Sequence, residues 1–180
     1  LVVKKLPNDF NGRILDLGTG SGAILVALAK EYPYAECVGI DKSANALTLA
    51  EENLALNQCS KNVTLSIFDW HSDVFSQKNF DVLVSNPPYL SFKEWMSCEP
   101  EVKEYDPQDA LVSENDGLLD LETIIKISPE ILKEGGLVAL EFGYGQSEKL
   151  ISVSKGFLNE ISIANDLNGR RRFFFGRLIS

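Results

Sequence analysis

Short apolar runs alternate with longer segments of helical period through most of this 180-residue chain. This alternation is typical of parallel strands joined by helices that cover both faces of one sheet. The runs predicted to be strands are 13–16, 37–40, 63–68, 80–85 and 137–142. The predicted helices are 22–31, one capped by Ser43 with Ala46, Leu47, Ala50 and Leu54 on one face, 118–132 and 147–157. A doubly wound α/β fold is therefore expected.

The last part of the chain predicts a different element, a hairpin. Segments 160–164 and 171–179 flank Asn168-Gly169, and Asn-Gly is the strongest short-range hairpin signal. Gly135-Gly136 is predicted to cap the helix that precedes the fifth strand. Five strands and a hairpin give a seven-stranded, mostly parallel sheet with an antiparallel end, in one domain over residues 1–180.

A stretch from 86 to 117 shows no helical or strand period, and we predict a long irregular connection there. Connections of this length are uncommon in compact domains unless they have a function. The stretch follows the fourth predicted strand, so we expect it to contribute to a site.

Composition and charge narrow the classes of function. The net charge of −9 repels phosphate backbones, which argues against a nucleic-acid partner. No apolar run reaches the roughly 18 residues of a membrane span, and no signal peptide is recognised. Cys37, Cys59 and Cys98 lie far apart and match no metal-ligand spacing. We expect a cytoplasmic protein with reduced cysteines, no metal site and no membrane partner.

A glycine-rich loop follows the first predicted strand and opens the first helix. Its residues are Gly18, Thr19, Gly20, Ser21 and Gly22, with Asp16 just before them. Glycines here let the backbone turn tightly and approach a ligand closely. A dinucleotide fingerprint would carry its third glycine one residue later, and the Asp16 carboxylate suits an ammonium group better than a phosphate. We therefore expect S-adenosylmethionine rather than a nicotinamide cofactor.

Three further acidic or aromatic residues end predicted strands at the same edge of the sheet. Asp41 follows the loop by about twenty residues, where a carboxylate can accept both hydroxyls of an adenosine ribose. Asp69 and Trp70 end the third strand. An adenine ring could stack on Trp70 while its amino group donates to Asp69. These residues predict the nucleoside half of the same cofactor site.

The tetrapeptide Asn86-Pro87-Pro88-Tyr89 follows the fourth predicted strand. An amide nitrogen is a poor nucleophile because its lone pair is delocalised into the carbonyl. The Asn86 side-chain carbonyl and the Pro87 backbone carbonyl can accept both N–H bonds of a planar –NH2 group and orient it. The prolines keep these acceptors rigid, and Tyr89 offers a face for stacking. The tetrapeptide predicts methyl transfer to a planar amide or amino nitrogen, with Asn86 also contacting the cofactor.

These motifs resemble the HemK-type protein-glutamine methyltransferases, which modify the glutamine of the Gly-Gly-Gln tripeptide in peptide chain release factors. The glycine loop and the tetrapeptide are shared with many methyltransferases, whereas the later segments indicate this family. The segments that carry the resemblance are 14–24, Asp41, Asp69-Trp70, 84–89, 105–111, Gly117-Leu118, 140–143, 169–172 and 176–177. The resemblance covers nearly the whole chain.

The resemblance implies a Rossmann-like class I methyltransferase fold, S-adenosylmethionine as cofactor, S-adenosylhomocysteine as product and a release factor as protein substrate. It implies cofactor contacts from 18–22, Asp41 and Trp70, and recognition of the target glutamine by 86–89. Members usually carry a small helical N-terminal domain that helps to hold the release factor. No such domain is recognised in this sequence, so we expect an N-terminal part to be missing. Asp106 stands where members typically have Glu.

Two alternatives remain open. An adenine amino-methyltransferase acting on DNA or RNA would use the same two acceptors on a flipped base, although the acidic net charge argues against it. A catalytically silent cofactor-binding scaffold would not need the tetrapeptide, whose presence argues for an enzyme.

Two basic features are predicted to lie outside the site. His71 is predicted to be a surface residue without a partner or a catalytic role. The run Arg170-Arg171-Arg172 could meet an RNA-like or acidic surface of a partner, but on a hairpin turn such a run is more often only solvated charge.

Overall fold

Seven strands form one sheet in a computed structural model, which describes residues 1–73, 75–105 and 107–179. The strands are β1 (Arg13–Leu17), β2 (Glu36–Asp41), β3 (Val63–Ile67), β4 (Phe80–Ser85), β5 (Leu132–Glu141), β6 (Leu158–Asn165) and β7 (Arg171–Leu178). Their order across the sheet is β3-β2-β1-β4-β5-β7-β6. Strands β1 to β5 are parallel, and β7 is antiparallel to β5 and β6. The predicted doubly wound fold with a C-terminal hairpin is confirmed.

Helices cover both faces of the sheet. The helices are α1 (Ala23–Glu31), α2 (Ala44–Leu56), α3 (Phe92–Met96), α4 (Pro100–Tyr105), α5 (Gln108–Leu111), α6 (Glu114–Gly117), α7 (Leu119–Ile131) and α8 (Ser147–Ser154). Leu25 and Leu54 of α1 and α2 belong to one buried apolar cluster, whereas Leu121 and Leu150 of α7 and α8 belong to the other. No helix among the described residues combines the length and apolar character needed to cross a membrane.

The central strands are apolar on both faces because both faces are covered. Ile14 of β1 packs in the cluster of α1 and α2, and its neighbour Leu15 packs in the cluster of α7 and α8. Side chains alternate between the two faces of a strand, so a strand covered on both sides reads as a continuous apolar run.

The ends of the central strands lie in register at one edge of the sheet. Leu17 of β1 pairs with Ile40 of β2 and with Ser85 of β4, and Ser85 also pairs with Leu140 of β5. The strand order reverses between β1 and β4, which is where doubly wound sheets open a ligand crevice. The glycine loop and the tetrapeptide each begin one residue beyond this row.

Two predictions about connections are wrong. Gly135-Gly136 does not cap a helix, because α7 ends at Ile131 and the glycines lie inside β5. They lie where the register with β4 shifts between the pairs Phe80–Leu132 and Val82–Leu137, so they serve a bulge. The stretch 86–117 is not irregular throughout, because it contains α3 to α6.

Candidate active site

The glycine loop is tied to the end of β2. The backbone N–H of Gly18 donates to the Ile40 carbonyl at 2.8 Å, and that of Gly20 donates to Asp41 Oδ2 at 2.9 Å. Gly18, Gly20 and Gly22 have φ angles of 74°, 54° and 77°, a left-handed region that favours glycine. The three glycines therefore let the loop fold back onto Asp41.

The other two residues of the loop hold its shape. Thr19 accepts the N–H of Gly22 through its carbonyl at 2.8 Å. The Ser21 carbonyl accepts a bond of 2.9 Å from the Asn53 side chain of α2. These bonds fasten the loop to the start of α1 and to α2, so its backbone is fixed before any ligand binds.

Asp16 lies beneath the loop and is 1% exposed. Its Oδ2 accepts a hydrogen bond of 2.7 Å from the Thr19 hydroxyl, whereas Oδ1 is buried without a hydrogen-bond partner among the described residues. Burial raises the pKa of Asp16 to about 7, against the opposing effect of the Thr19 bond. A buried oxygen without a partner is costly, and an ammonium group could satisfy it. This site therefore fits the amino acid end of S-adenosylmethionine.

Asp41 already accepts one bond on each carboxylate oxygen. Oδ2 accepts from Gly20, and Oδ1 accepts from the N–H of Ser43 at 2.9 Å. A carboxylate has about four acceptor positions, so each oxygen keeps capacity for a hydroxyl group. The Ser43 hydroxyl caps α2, as predicted, by accepting from the N–H of Ala46 at 3.3 Å. The geometry is compatible with a ribose at Asp41.

Trp70 lies against the glycine loop, where a Cβ built on Gly18 would meet its ring at 3.2 Å. The indole N–H donates to Asp120 Oδ1 of α7 at 2.8 Å, which fixes the orientation of the ring. His71 Nε2 lies 2.7 Å from the same oxygen. The prediction that His71 has no partner is therefore wrong, although its side chain is 41% exposed.

Asp69 shapes the turn after β3. Its Oδ1 accepts from the N–H of His71 at 2.9 Å, and its own N–H donates to Asp73 Oδ2 at 2.8 Å. Asp69 is half-buried. It lies at the same edge of the sheet as the glycine loop, which its neighbour Trp70 contacts.

The tetrapeptide 86–89 begins beside the glycine loop. The Ser85 hydroxyl donates to the carbonyl of Leu17, the residue that precedes Gly18. Asn86 is exposed, Pro87 is buried, and Pro88 and Tyr89 are half-buried. The Asn86 amide therefore lies at the surface of the crevice, while the prolines anchor its backbone.

Tyr89 is held by two residues that the sequence did not indicate as part of the site. Its hydroxyl donates to Glu141 Oε1 at 3.1 Å and accepts from Arg172 Nη1 at 3.2 Å. The Arg172 guanidinium also lies over the tyrosine ring, 5.5 Å from its centroid. Burial, reinforced by the charge of Glu141, raises the pKa of Tyr89 to about 12, so the phenol stays neutral.

The prediction that 170–172 is only solvated charge is wrong for Arg172, whereas the Arg171 side chain stays 61% exposed in its ion pair. Arg172 contacts Tyr89, and Arg171 donates to Glu148 Oε1 at 2.9 Å. Glu141 and Arg172 both lie in segments that carried the family resemblance, which was the available signal. Asp120 had no such signal. Asp106, from the segment 105–111, lies outside the described residues.

A family model described as "Methyltransferase small domain" matches residues 1–98. A protein named release factor glutamine methyltransferase from Geobacter sulfurreducens is 38% identical over 169 residues, which are 92% of this chain and 57% of the relative. One of the same name from Buchnera aphidicola is 42% identical over 91% of this chain and 58% of the relative. The chain thus spans somewhat more than half the length of these relatives. They confirm the resemblance drawn from the sequence.

Solved structures share the fold. An O-methyltransferase from Thermotoga maritima, described as SAM-dependent, has a TM-score of 0.74 at 18% identity, covering 99% of this chain and 63% of that one. A methyltransferase from Pyrococcus furiosus has a TM-score of 0.71 at 16% identity, with coverages of 99% and 81%. At these identities the similarity concerns the architecture of the sheet and its helices.

Proposed function

Because the chain belongs to the methyltransferase small domain family, we propose that it methylates the side-chain amide nitrogen of the glutamine in the Gly-Gly-Gln motif of release factors. Relatives named release factor glutamine methyltransferases, at 36 to 42% identity, support this substrate. One observation carries the proposal. The exposed Asn86 begins a proline-anchored loop beside the glycine loop, at the reversal of strand order.

The residues proposed to hold S-adenosylmethionine are those of the crevice edge. Asp16 would accept from the ammonium group through the oxygen that has no partner among the described residues. Asp41 would accept from the ribose, and Trp70, oriented by Asp120, would stack on the adenine. The bound cofactor supplies an electrophilic methyl group.

The tetrapeptide is proposed to orient the nucleophile. The Asn86 side-chain carbonyl and the Pro87 carbonyl would each accept one N–H of the glutamine amide, which aligns the nitrogen and stabilises its developing charge. Tyr89 is proposed to give its ring face rather than its hydroxyl, because the hydroxyl already pairs with Glu141 and Arg172. The nitrogen can lose its proton to water after the transfer.

A cytoplasmic location is part of the proposal. Cys37 and Cys59 are free and buried, and burial raises the pKa of the Cys37 thiol to about 12. Unreactive, unpaired thiols are typical of proteins from a reducing compartment.

Labelled S-adenosylmethionine tests the proposal against three acceptors, namely a release factor, its Gly-Gly-Gln variant with Gln replaced by Ala, and nucleic acid. We expect label on the intact release factor alone. Asn86→Ala should lower kcat by about 100-fold or more, because it removes one acceptor, and should still bind the cofactor in calorimetry. Asn8→Ala, at an exposed asparagine before β1, is the control. Label on nucleic acid alone would refute the assignment in favour of an amino-methyltransferase acting on bases.

A further inference from the structure

Gln146, the residue before α8, joins three loops at the crevice edge with its side-chain amide. It is 8% exposed. The two N–H bonds of its Nε2 serve three carbonyls, that of Tyr89 at 2.9 Å and those of Gly117 at 3.2 Å and Asp116 at 3.3 Å, so one hydrogen is shared. Its Oε1 accepts from the N–H of Gly143 at 2.8 Å. A single buried amide thus satisfies groups after β4, before α7 and after β5.

The surrounding glycines leave room for this amide and little else. A Cβ built on Gly117 would lie 2.8 Å from Gln146 Nε2 and would clash with the Tyr89 carbonyl. A Cβ on Gly143 would lie 3.0 Å from Gln146 Oε1 and 3.2 Å from the Tyr89 ring. Larger residues at 117 and 143 would therefore displace the amide or the end of the tetrapeptide.

The tetrapeptide 86–89 is consequently fixed at both of its ends. At the first end, Ser85 belongs to β4 and donates to Leu17. At the second end, Tyr89 is held through its hydroxyl by Glu141 and Arg172, and through its backbone carbonyl by Gln146. The Tyr89 carbonyl bond acts directly on the backbone that carries the two proposed acceptors.

We infer that Gln146 is a positioning residue, which sets the backbone of 86–89 so that Asn86 and Pro87 present their carbonyl oxygens to the substrate amide. The inference rests on the proposed function. Gln146 acts through Tyr89 and is not itself placed in contact with substrate or cofactor. Its loss should therefore affect the chemical step more than the binding of either partner.

Two variants separate positioning from a general loss of stability. Gln146→Met keeps the length of the side chain and removes its hydrogen bonds. Gln146→Glu keeps the acceptor for Gly143 and turns a second oxygen toward the carbonyls. The matched control is Asn62→Leu, because Asn62 is a half-buried amide that donates to the Ala35 carbonyl at 2.8 Å and lies where β2 and β3 begin, at the opposite edge of the sheet from the site.

For Gln146→Met we expect kcat to fall by about 30- to 100-fold, with little change in KM for the release factor or in the Kd of S-adenosylmethionine. Asn62→Leu should keep the wild-type kcat. Gln146→Glu should recover activity relative to wild type as the pH is lowered, because a protonated carboxyl regains one donor. A wild-type kcat in Gln146→Met, or an equal loss in Asn62→Leu, would overturn the inference.

Hydrogen–deuterium exchange tests the same inference without turnover. The N–H groups of Leu90, Ser113 and Gly117 bond within the segment that Gln146 joins. They should exchange faster in Gln146→Met and at the wild-type rate in Asn62→Leu, while β1 stays protected in both. Unchanged exchange in Gln146→Met would reject the positioning role, whether or not the wild-type protein methylates release factors. That failure by itself would reject only the proposed function.

Discussion

The Asp16 carboxyl is under strong electrostatic constraint, because it is buried and one of its oxygens has no partner among the described residues. Burial raises its pKa from the ordinary value of 3.8 to about 7. Between these pH values the folded state keeps a proton that the unfolded chain has lost. Folding stability from Asp16 is therefore complete below pH 3.8, falls as the pH rises to 7, and changes no further above that.

Asp16→Asn should remove this pH dependence, since an amide stays neutral. In the absence of cofactor, we expect the variant to gain free energy of unfolding over wild type as the pH rises, by up to about 4 kcal/mol at pH 7. Urea denaturation between pH 4 and pH 8 measures it. Asp9→Asn, at an exposed aspartate, should follow the wild-type curve. Parallel curves for Asp16→Asn and wild type would contradict the assignment of this proton.

The sequence indicates those site residues whose local chemistry is distinctive. The glycines of 18–22 indicate a tight loop and the prolines of 86–89 indicate a rigid one, and both can be recognised without knowledge of the fold. Glu141, Arg172 and Gln146 carry no such mark, because they reach Tyr89 only through pairing of β5 with β7 and through the turn before α8. Their part in the site depends on contacts between residues far apart in the chain.

At the level of elements, apolar runs predict the buried strands well and the exposed start of β5 poorly. The bounds of β4 are those predicted, 80–85, because four of its six residues are apolar and five are buried. Strand β5 begins five residues earlier than predicted, at Leu132, because Lys133, Glu134 and the glycines after them lack an apolar pattern. The register with β4 also shifts within this segment. The sheet ladder, rather than side-chain burial, extends β5 here.

The short helices of 86–117 fail to show in a periodic pattern because each has only four to six residues. One local signal was available. Ser91 and Glu94 form a capping box at the start of α3, in which the Ser91 hydroxyl accepts from the N–H of Glu94 and the Glu94 carboxylate accepts from that of Ser91. Their spacing is the usual sequence mark of a helix start.

The junction of α6 and α7 should be intolerant of a side chain at Gly117. Its φ is 80°, and a Cβ there would clash with the Tyr89 carbonyl. Gly169 of the hairpin turn has a φ of 79° with nothing within 4 Å of its Cβ position, so it is a matched control for backbone strain alone. We expect Gly169→Ala to cost about 1 kcal/mol and Gly117→Ala at least about 2 kcal/mol more. Equal unfolding free energies in urea would contradict the close approach.

At the scale of the molecule, the alternation of strands and helices is enough to predict a doubly wound, mostly parallel sheet. Right-handed connections between parallel strands leave few arrangements, and the Asn-Gly turn fixes the antiparallel end. The molecule thus gathers its motifs at one edge of the sheet because parallel strands end together. What the alternation could not supply is the side-chain pairing at that edge, which depends on the register of β5 and β7.

The net charge of the whole molecule bears on whether it binds nucleic acid. The net charge is −9, and within the 170–172 run Arg171 donates to Glu148 while Arg172 donates to the Tyr89 hydroxyl. Proteins bind nucleic acid without sequence preference mainly by neutralising phosphates, with Kd values of about 1 to 100 μM at physiological salt.

We therefore expect no saturable binding of labelled single-stranded RNA or duplex DNA at physiological salt, as measured by fluorescence anisotropy up to about 100 μM protein. A basic nucleic-acid-binding protein serves as the positive control. Lowering the salt should not produce strong binding, because an acidic surface gains repulsion as screening weakens. Salt-sensitive binding in the low micromolar range would instead show a local basic surface that outweighs the net charge, and would reopen the assignment of a base as the methyl acceptor.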